Sequence, residues 1–157
     1  MQHIWRIGAG IITIALLSPA AHAASDIALT SAVFVEKTVQ ANGQKKIVLE
    51  RPVHVMPGDR LVFMFDYRKK GAAPASDFVV TNPLPGTVAY QSSADPAAFV
   101  STDGGRTWGT LARLRLREAD GAVRGARPED VTHVRWTFAR AIPAGQGGKL
   151  SFRGVVR

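Results

Sequence analysis

The chain has 157 residues, no cysteine, and 20 Lys plus Arg against 12 Asp plus Glu, for a formal net charge of +8. That length suits one domain around one core. The lack of cysteine excludes a disulfide staple and a cysteine-held metal, and with them a lipid-anchored N terminus, which needs Cys at the cleavage point.

Residues 1–23 read as a cleaved export signal. Arg6 precedes an apolar run from Ile7 to Leu17, Ser18-Pro19 breaks the helix, and Ala21-His22-Ala23 supplies the small-x-small exit a signal peptidase needs. The run is too short to span a bilayer comfortably. The mature chain is therefore expected to begin at Ala24, to work in the periplasm or as a secreted or cell-surface protein, and to carry no transmembrane helix. Loss of Arg6 leaves a charge of about +7, which in an exported protein points to anionic envelope polymers, lipid headgroups or acidic partner proteins rather than nucleic acid. Simple solubility accounts for the same charge.

From residue 24 onward apolar residues alternate, with Gly, Pro, Asn and Asp between the runs, a strand-and-turn pattern. Ile27 to Val39 reads as one long or broken strand. Asn42-Gly43 is a strong hairpin signal, because a type I′ turn needs positive φ at both central residues, and Lys45 to Arg51 returns as its partner. Pro57-Gly58-Asp59 turns the chain into Arg60 to Tyr67, the best core strand, with Leu61, Phe63, Phe65 and Tyr67 on one face and Val62 and Met64 on the other. Lys69-Lys70-Gly71 reads as a solvated loop. Asp77 to Thr81 follows as a strand, with pairing expected to stop at Asn82-Pro83-Leu84-Pro85-Gly86. Thr87 to Gln91 is a short strand. Phe99 to Thr102 and Arg106 to Trp108 flank Asp103-Gly104-Gly105 as a tight hairpin. Leu111 to Arg117 alternates as a strand, a loop runs from Asp120 to Glu129, and Val131 to Ala139 puts Val134, Trp136 and Phe138 on one face. Ile142 to Gly148 is a turn, and Lys149 to Val156 closes the domain.

Eight to ten short strands with regular turns predict an all-β fold, an immunoglobulin-like antiparallel β-sandwich occupying residues 24–157 as a single domain, with a closed barrel as the alternative. Pro57-Gly58-Asp59-Arg60-Leu61-Val62-Phe63, then Asp77-Phe78-Val79-Val80-Thr81-Asn82-Pro83-Leu84-Pro85, then Val88-Ala89-Tyr90 resemble the bacterial conserved-repeat domain, the domain of unknown function number eleven of bacterial surface proteins. The resemblance covers about Ala28 to Tyr90 and implies an immunoglobulin-like sandwich at the cell surface. Two departures stand out: Arg68-Lys69-Lys70-Gly71 replaces the family's Asn-x-Gly loop, and Asn82 replaces its Asp before Leu-Pro, which puts a calcium role for that corner in doubt.

Ser101-Thr102-Asp103-Gly104-Gly105-Arg106-Thr107-Trp108 matches an Asp-box, the hairpin turn of sialidase propellers. A propeller needs several blades and this chain has one box, so the motif reads as a folding device in which Asp and Ser cap turn amides. The suggestive binding feature is a row of Arg113, Arg115 and Arg117, about 7 Å apart if on one strand, with Arg135 beside it. Such a row fits sulfate, phosphate or carboxylate groups, while a charged edge that discourages aggregation is the plainer reading. His54 and His133 lie far apart, and the carboxylates at Asp59, Asp66, Asp77, Asp95, Asp103 and Asp130 are scattered. Trp108, Trp136 and Tyr90 suggest a sugar platform, but Trp136 sits on a core-like stripe. No catalytic residue, metal or cofactor is expected. The sequence points to a non-catalytic exported envelope module with a structural, adhesion or assembly role, its partner an envelope protein, or alternatively to binding of an anionic polysaccharide or lipid headgroup through the arginine face.

Overall fold

The computed structural model describes residues 26–157; the expected export signal lies outside the described residues. Among the described residues ten strands form antiparallel sheets in a sandwich-like, all-β arrangement. The larger sheet holds β1 (Ile27–Ala41), β2 (Gln44–Glu50), β3 (Arg60–Lys69), β5 (Val88–Ser93) and β10 (Gly147–Val156), in the order β2-β1-β3-β10-β5. The second sheet holds β4 (Val79–Pro83), β6 (Ala98–Ser101) and β9 (His133–Thr137), with β9 central. β7 (Arg115–Arg117) and β8 (Val123–Gly125) make a separate two-stranded ribbon.

Side-chain parity explains why these segments pair as they do. On β3, Leu61, Phe63 and Phe65 are buried at period two, and the register places Phe63 opposite Val33 on β1 and Phe152 on β10. The Phe63 and Phe152 rings stack at 4.5 Å. From the facing sheet β9 sends Val134 and Trp136 inward. Trp136 meets Phe65 at 5.5 Å and Phe152 at 6.2 Å, and these contacts join the two layers. A second aromatic group, Tyr67, Phe78 and Phe138, closes one end with centroid distances of 5.0–5.9 Å. The Trp136 indole N–H is buried without an acceptor among the described residues.

Asn42 and Gly43 both hold positive φ, 50° and 77°, so the expected two-residue turn joins β1 to β2. Val62 is buried on the outer face of β3 between Phe34 and Arg153, with Met64 half-buried beyond it.

Several local expectations fail for identifiable reasons. Lys69 is the last residue of β3, not part of a solvated loop: its side chain is 3% exposed and its ammonium lies 3.4 Å from the Asp26 carboxylate. Pairing continues through Pro83, which sits opposite His133. The Phe138 amide donates to the Phe78 carbonyl and the Leu84 amide to the Thr132 carbonyl, so by alternation Val80 and Asn82 point their amides at β9 and Pro83 points outward. β4 is an edge strand, and a missing N–H on its open side costs no ladder bond. Arg106 to Trp108 is not a strand; the loop after β6 closes through paired bonds between Val100 and Gly109. Leu111–Arg113 is a 3-10 turn, in which the Arg113 and Leu114 amides both donate to the Thr110 carbonyl, and only Arg115–Arg117 is extended. The Asp120–Glu129 loop contains β8, with Gly121 at φ 88° in its turn.

Candidate functional site

The Asp-box loop is built around one carboxylate. Asp103 Oδ1 accepts from the Arg106 amide at 3.0 Å, the Thr107 amide at 2.9 Å and the Ser101 hydroxyl at 2.8 Å, while Oδ2 accepts from the Thr107 hydroxyl at 2.7 Å. Ser101, fully buried, accepts in turn from the Gly105 amide at 2.9 Å. The Thr107 backbone and hydroxyl bonds, followed by the Ser101 bond, hold the Asp103 carboxyl far below the ordinary carboxylate range. These bonds fix the loop so that Trp108 donates its indole N–H to the Gly105 carbonyl at 2.9 Å. Its ring is left against the outer face of β9, where the Arg135 guanidinium stacks over it at 3.7 Å and His133 meets it edge-on at 6.3 Å.

The four arginines expected to share a face are distributed over three elements. Arg113 lies in the 3-10 turn, Arg115 and Arg117 on β7, and Arg135 on β9 of the second sheet. Arg115 and Arg117 remain on one side of the β7–β8 ribbon. Arg115 donates to the carbonyls of Ala112 at 2.9 Å and Leu114 at 3.0 Å, Arg117 to that of Gly121 at 3.1 Å. Arg135 also donates Nε to the Thr81 hydroxyl at 3.1 Å. Arg124, which sequence reading passed over, sits opposite Leu116 on the other side of the ribbon and clamps Asp130 with two bonds of 2.5 and 2.9 Å while also engaging Glu118. That pairing brings the Asp130 carboxyl down to about 2. The signal available in sequence was Asp120-Gly121, a hairpin dipeptide that brings Glu118 and Arg124 together.

Trp136 is buried in the core and Tyr90 packs its ring 6.3 Å from Phe152, where burial raises its hydroxyl pKa, so these two do not join Trp108 in an exposed platform. His54 lies in the segment after β2 and His133 on β9. Among the described residues no group of three or more His, Asp or Glu is placed to hold a metal ion, and no helix is long and apolar enough to cross a membrane.

A further departure from a closed surface is the β1–β2 hairpin. β1 pairs with β3 only as far as Val35, opposite Leu61, and from Glu36 to Ala41 its sole partner among the described residues is β2. The β1–β2 hairpin therefore extends past the sandwich as a two-stranded ribbon, and β2 is an edge of the large sheet. Ile47 is 61% exposed and Leu49 45%, and the following segment leaves Val53 87% exposed, with Val55 and Met56 also open. Three interactions fix the base of the ribbon: Arg153 to Glu36 at 2.7 Å, Lys37 to Asp59 at 4.0 Å, and Arg51 over the Phe34 ring at 5.8 Å. Beside it an apolar groove of about 280 Å³ runs between Val33, Val55, Phe63, Pro85 and Val156. These exposed aliphatic side chains on a basic domain are the feature that burial within one chain does not explain.

Compared with known proteins, the chain matches no family model, no curated sequence and no solved structure.

Proposed function

We propose that the chain is a non-catalytic, exported envelope module of immunoglobulin-like type that works in adhesion, scaffolding or assembly, with a protein as its partner. One observation carries the reading: a projecting ribbon whose outer strand has free backbone groups and exposed Ile47 and Leu49. Edges of this kind are normally covered, shortened or heavily charged, because they template pairing with another strand. The signal-like residues 1–23 and the resemblance to conserved-repeat surface domains support the location. A photo-cross-linking side chain placed at position 47 in the full chain, in intact cells, tests it. The expected result is a discrete cross-linked protein in the envelope fraction and a chain shortened by 23 residues. A chain that stays in the cytosol at full length, or yields no product from position 47, overturns the reading.

A second reading has its own support. Arg113, Arg115, Arg117 and Arg135 have no carboxylate within 4.0 Å among the described residues, unlike Arg124 and Arg153. Four uncompensated guanidinium groups suit an anionic glycan or lipid headgroup. Retention on a heparin or lipopolysaccharide column at low salt, lost when Arg113, Arg115 and Arg117 become Ser, is the expected result. No retention at low salt ends this reading.

A further inference from the structure

We propose that β2 is the contact strand of a symmetric dimer, in which two copies of this chain pair Lys46–Glu50 antiparallel and join their large sheets into one. The proposal rests on the assembly reading above and names the partner.

The two-residue turn makes Ala41 and Gln44 a hydrogen-bonded pair, so Gln44, Lys46, Val48 and Glu50 point their amides and carbonyls at β1. Lys45, Ile47 and Leu49 point theirs at solvent. A second antiparallel β2 related by a twofold axis perpendicular to the sheet keeps each face on its own side, so odd residues meet odd and even meet even.

Side-chain chemistry then selects the register. The segment reads Lys46-Ile47-Val48-Leu49-Glu50, and its charges and apolar groups complement their own reversal. Centring the axis on Val48 sets Val48 opposite itself, Ile47 opposite Leu49 twice, and Lys46 opposite Glu50 twice. The two Ile47–Leu49 pairs are the hydrogen-bonded ones, each exchanging both its bonds. On one face the exposed Ile47 and Leu49 of both copies cover one another; on the other, Val48 meets Val48 between two ion pairs. Centring on Ile47 instead sets Lys46 against Val48 and Lys45 against Leu49, which pairs no charge and strands two lysines on apolar neighbours. In the Val48 register Lys45 would face Arg51 of the copy, but Arg51 lies beyond β2 with its guanidinium turned onto the Phe34 ring. Lysines on an edge ordinarily discourage pairing; here Glu50 answers Lys46, so the edge is selective rather than blocked.

A single strand pair buries less than the roughly 1,200 Å² of a stable complex, so the dimer is expected to be concentration-dependent. Cross-linking captures such a contact. The chain has no cysteine, so Val48→Cys places one thiol per copy on the axis, in a non-hydrogen-bonded pair whose Cα separation of about 4.5 Å a disulfide accepts. Thr38→Cys, exposed on β1 one strand removed from the contact, is the control. The expected result is a disulfide-linked dimer from Val48→Cys forming at least about tenfold faster than from Thr38→Cys. Sedimentation of the purified protein supplies the second arm. Lys46→Glu sets like charges opposite at both ends and should weaken association about tenfold, and Lys46→Glu with Glu50→Lys should restore it. Equal trapping at positions 48 and 38, or a double reversal no better than the single one, overturns the dimer. If position 47 cross-links a different envelope protein while position 48 traps no dimer, the dimer falls and the assembly reading stands; if position 47 yields no product in cells, the assembly reading falls by itself.

Discussion

Phe152 offers the most direct test of the two-layer core. It is 0% exposed and lies on β10 with rings on every side: Phe63 stacked at 4.5 Å, Phe65 at 6.2 Å, Tyr90 at 6.3 Å and, from the opposite sheet, Trp136 at 6.2 Å. Phe152→Ala removes the ring and leaves a cavity that two hydrogen-bonded sheets cannot close, a loss of about 3–5 kcal/mol. A domain of this size has a total stability of about 5–15 kcal/mol, so the variant is expected to lose about a fifth of it or more. With a urea slope near 2 kcal/mol/M the midpoint should fall by roughly 2 M, read from tryptophan fluorescence. Val155→Ala is the internal comparison. It lies three residues on, half-buried on the opposite face of the same strand, and should cost only about 1 kcal/mol. The contrast tests parity as well as burial, and a double-mutant cycle between Phe152→Leu and Trp136→Phe should show coupling of about 0.5–1.5 kcal/mol across the sheets. A Phe152→Ala loss below about 1.5 kcal/mol, or one equal to that of Val155→Ala, would refute the inward placement of Phe152 and the packing argued from it.

Gly154→Ala should destabilise by about 1–3 kcal/mol in the same unfolding assay, because an added methyl would collide with Val88 and lie 3.0 Å from the Ala89 carbonyl oxygen where β5 approaches β10; an unchanged midpoint would contradict that approach. The folded-state pKa values of Asp103 and Asp130 lie below their unfolded values, so their contribution is complete above about pH 4 and is lost as pH falls toward the folded values. Urea midpoints measured from pH 7 to pH 2 should hold near neutrality and drop below pH 4, with a shallower drop in Asp130→Asn; identical profiles would refute the clamp. Asp26→Asn, which leaves the Lys69 ammonium without its carboxylate, should cost about 1–2 kcal/mol and more than Lys69→Met, since the methionine leaves no buried charge; thermal unfolding of the two variants gives the order.

Period-two alternation made most strands readable, because a sandwich strand has one wet face and one dry one. Leu61, Phe63 and Phe65 and the Asn42-Gly43 turn declare themselves this way. What alternation does not encode is the partner of each strand. Leu111 to Arg117 alternates leucine and arginine like a strand, yet its first turn is 3-10, because the Thr110 carbonyl captures two amides locally. Pro83 reads as a stop only if its amide would have faced a neighbour, and nothing local says that β4 has its open edge there. Lys69 reads as solvated because its counter-ion, Asp26, is distant in sequence. The arginine row failed for the first of these reasons. The β2 edge was invisible for the second: Lys45 to Arg51 was a legible strand, but its place at the border of a sheet depends on where β3 begins.

β1 has 15 residues and β3 has 10, and pairing between them ends at Val35 and Leu61, so among the described residues the far part of β1 has only β2 for support. An isolated two-stranded ribbon is marginal in water. The Arg153–Glu36 and Lys37–Asp59 pairs secure only its base and leave Thr38 to Lys46 held by one turn and one ladder. Selection for stability of the single chain would shorten such a ribbon or replace Ile47 and Leu49 with polar residues, since neither change would disturb the core around Phe152 and Trp136. A ribbon that keeps both the length and the exposed aliphatics gains most when another strand satisfies its outer amides and covers those side chains. The residues that add least to the lone molecule are thus the ones a partner strand would stabilise, and they are the residues on which the proposed contact is centred.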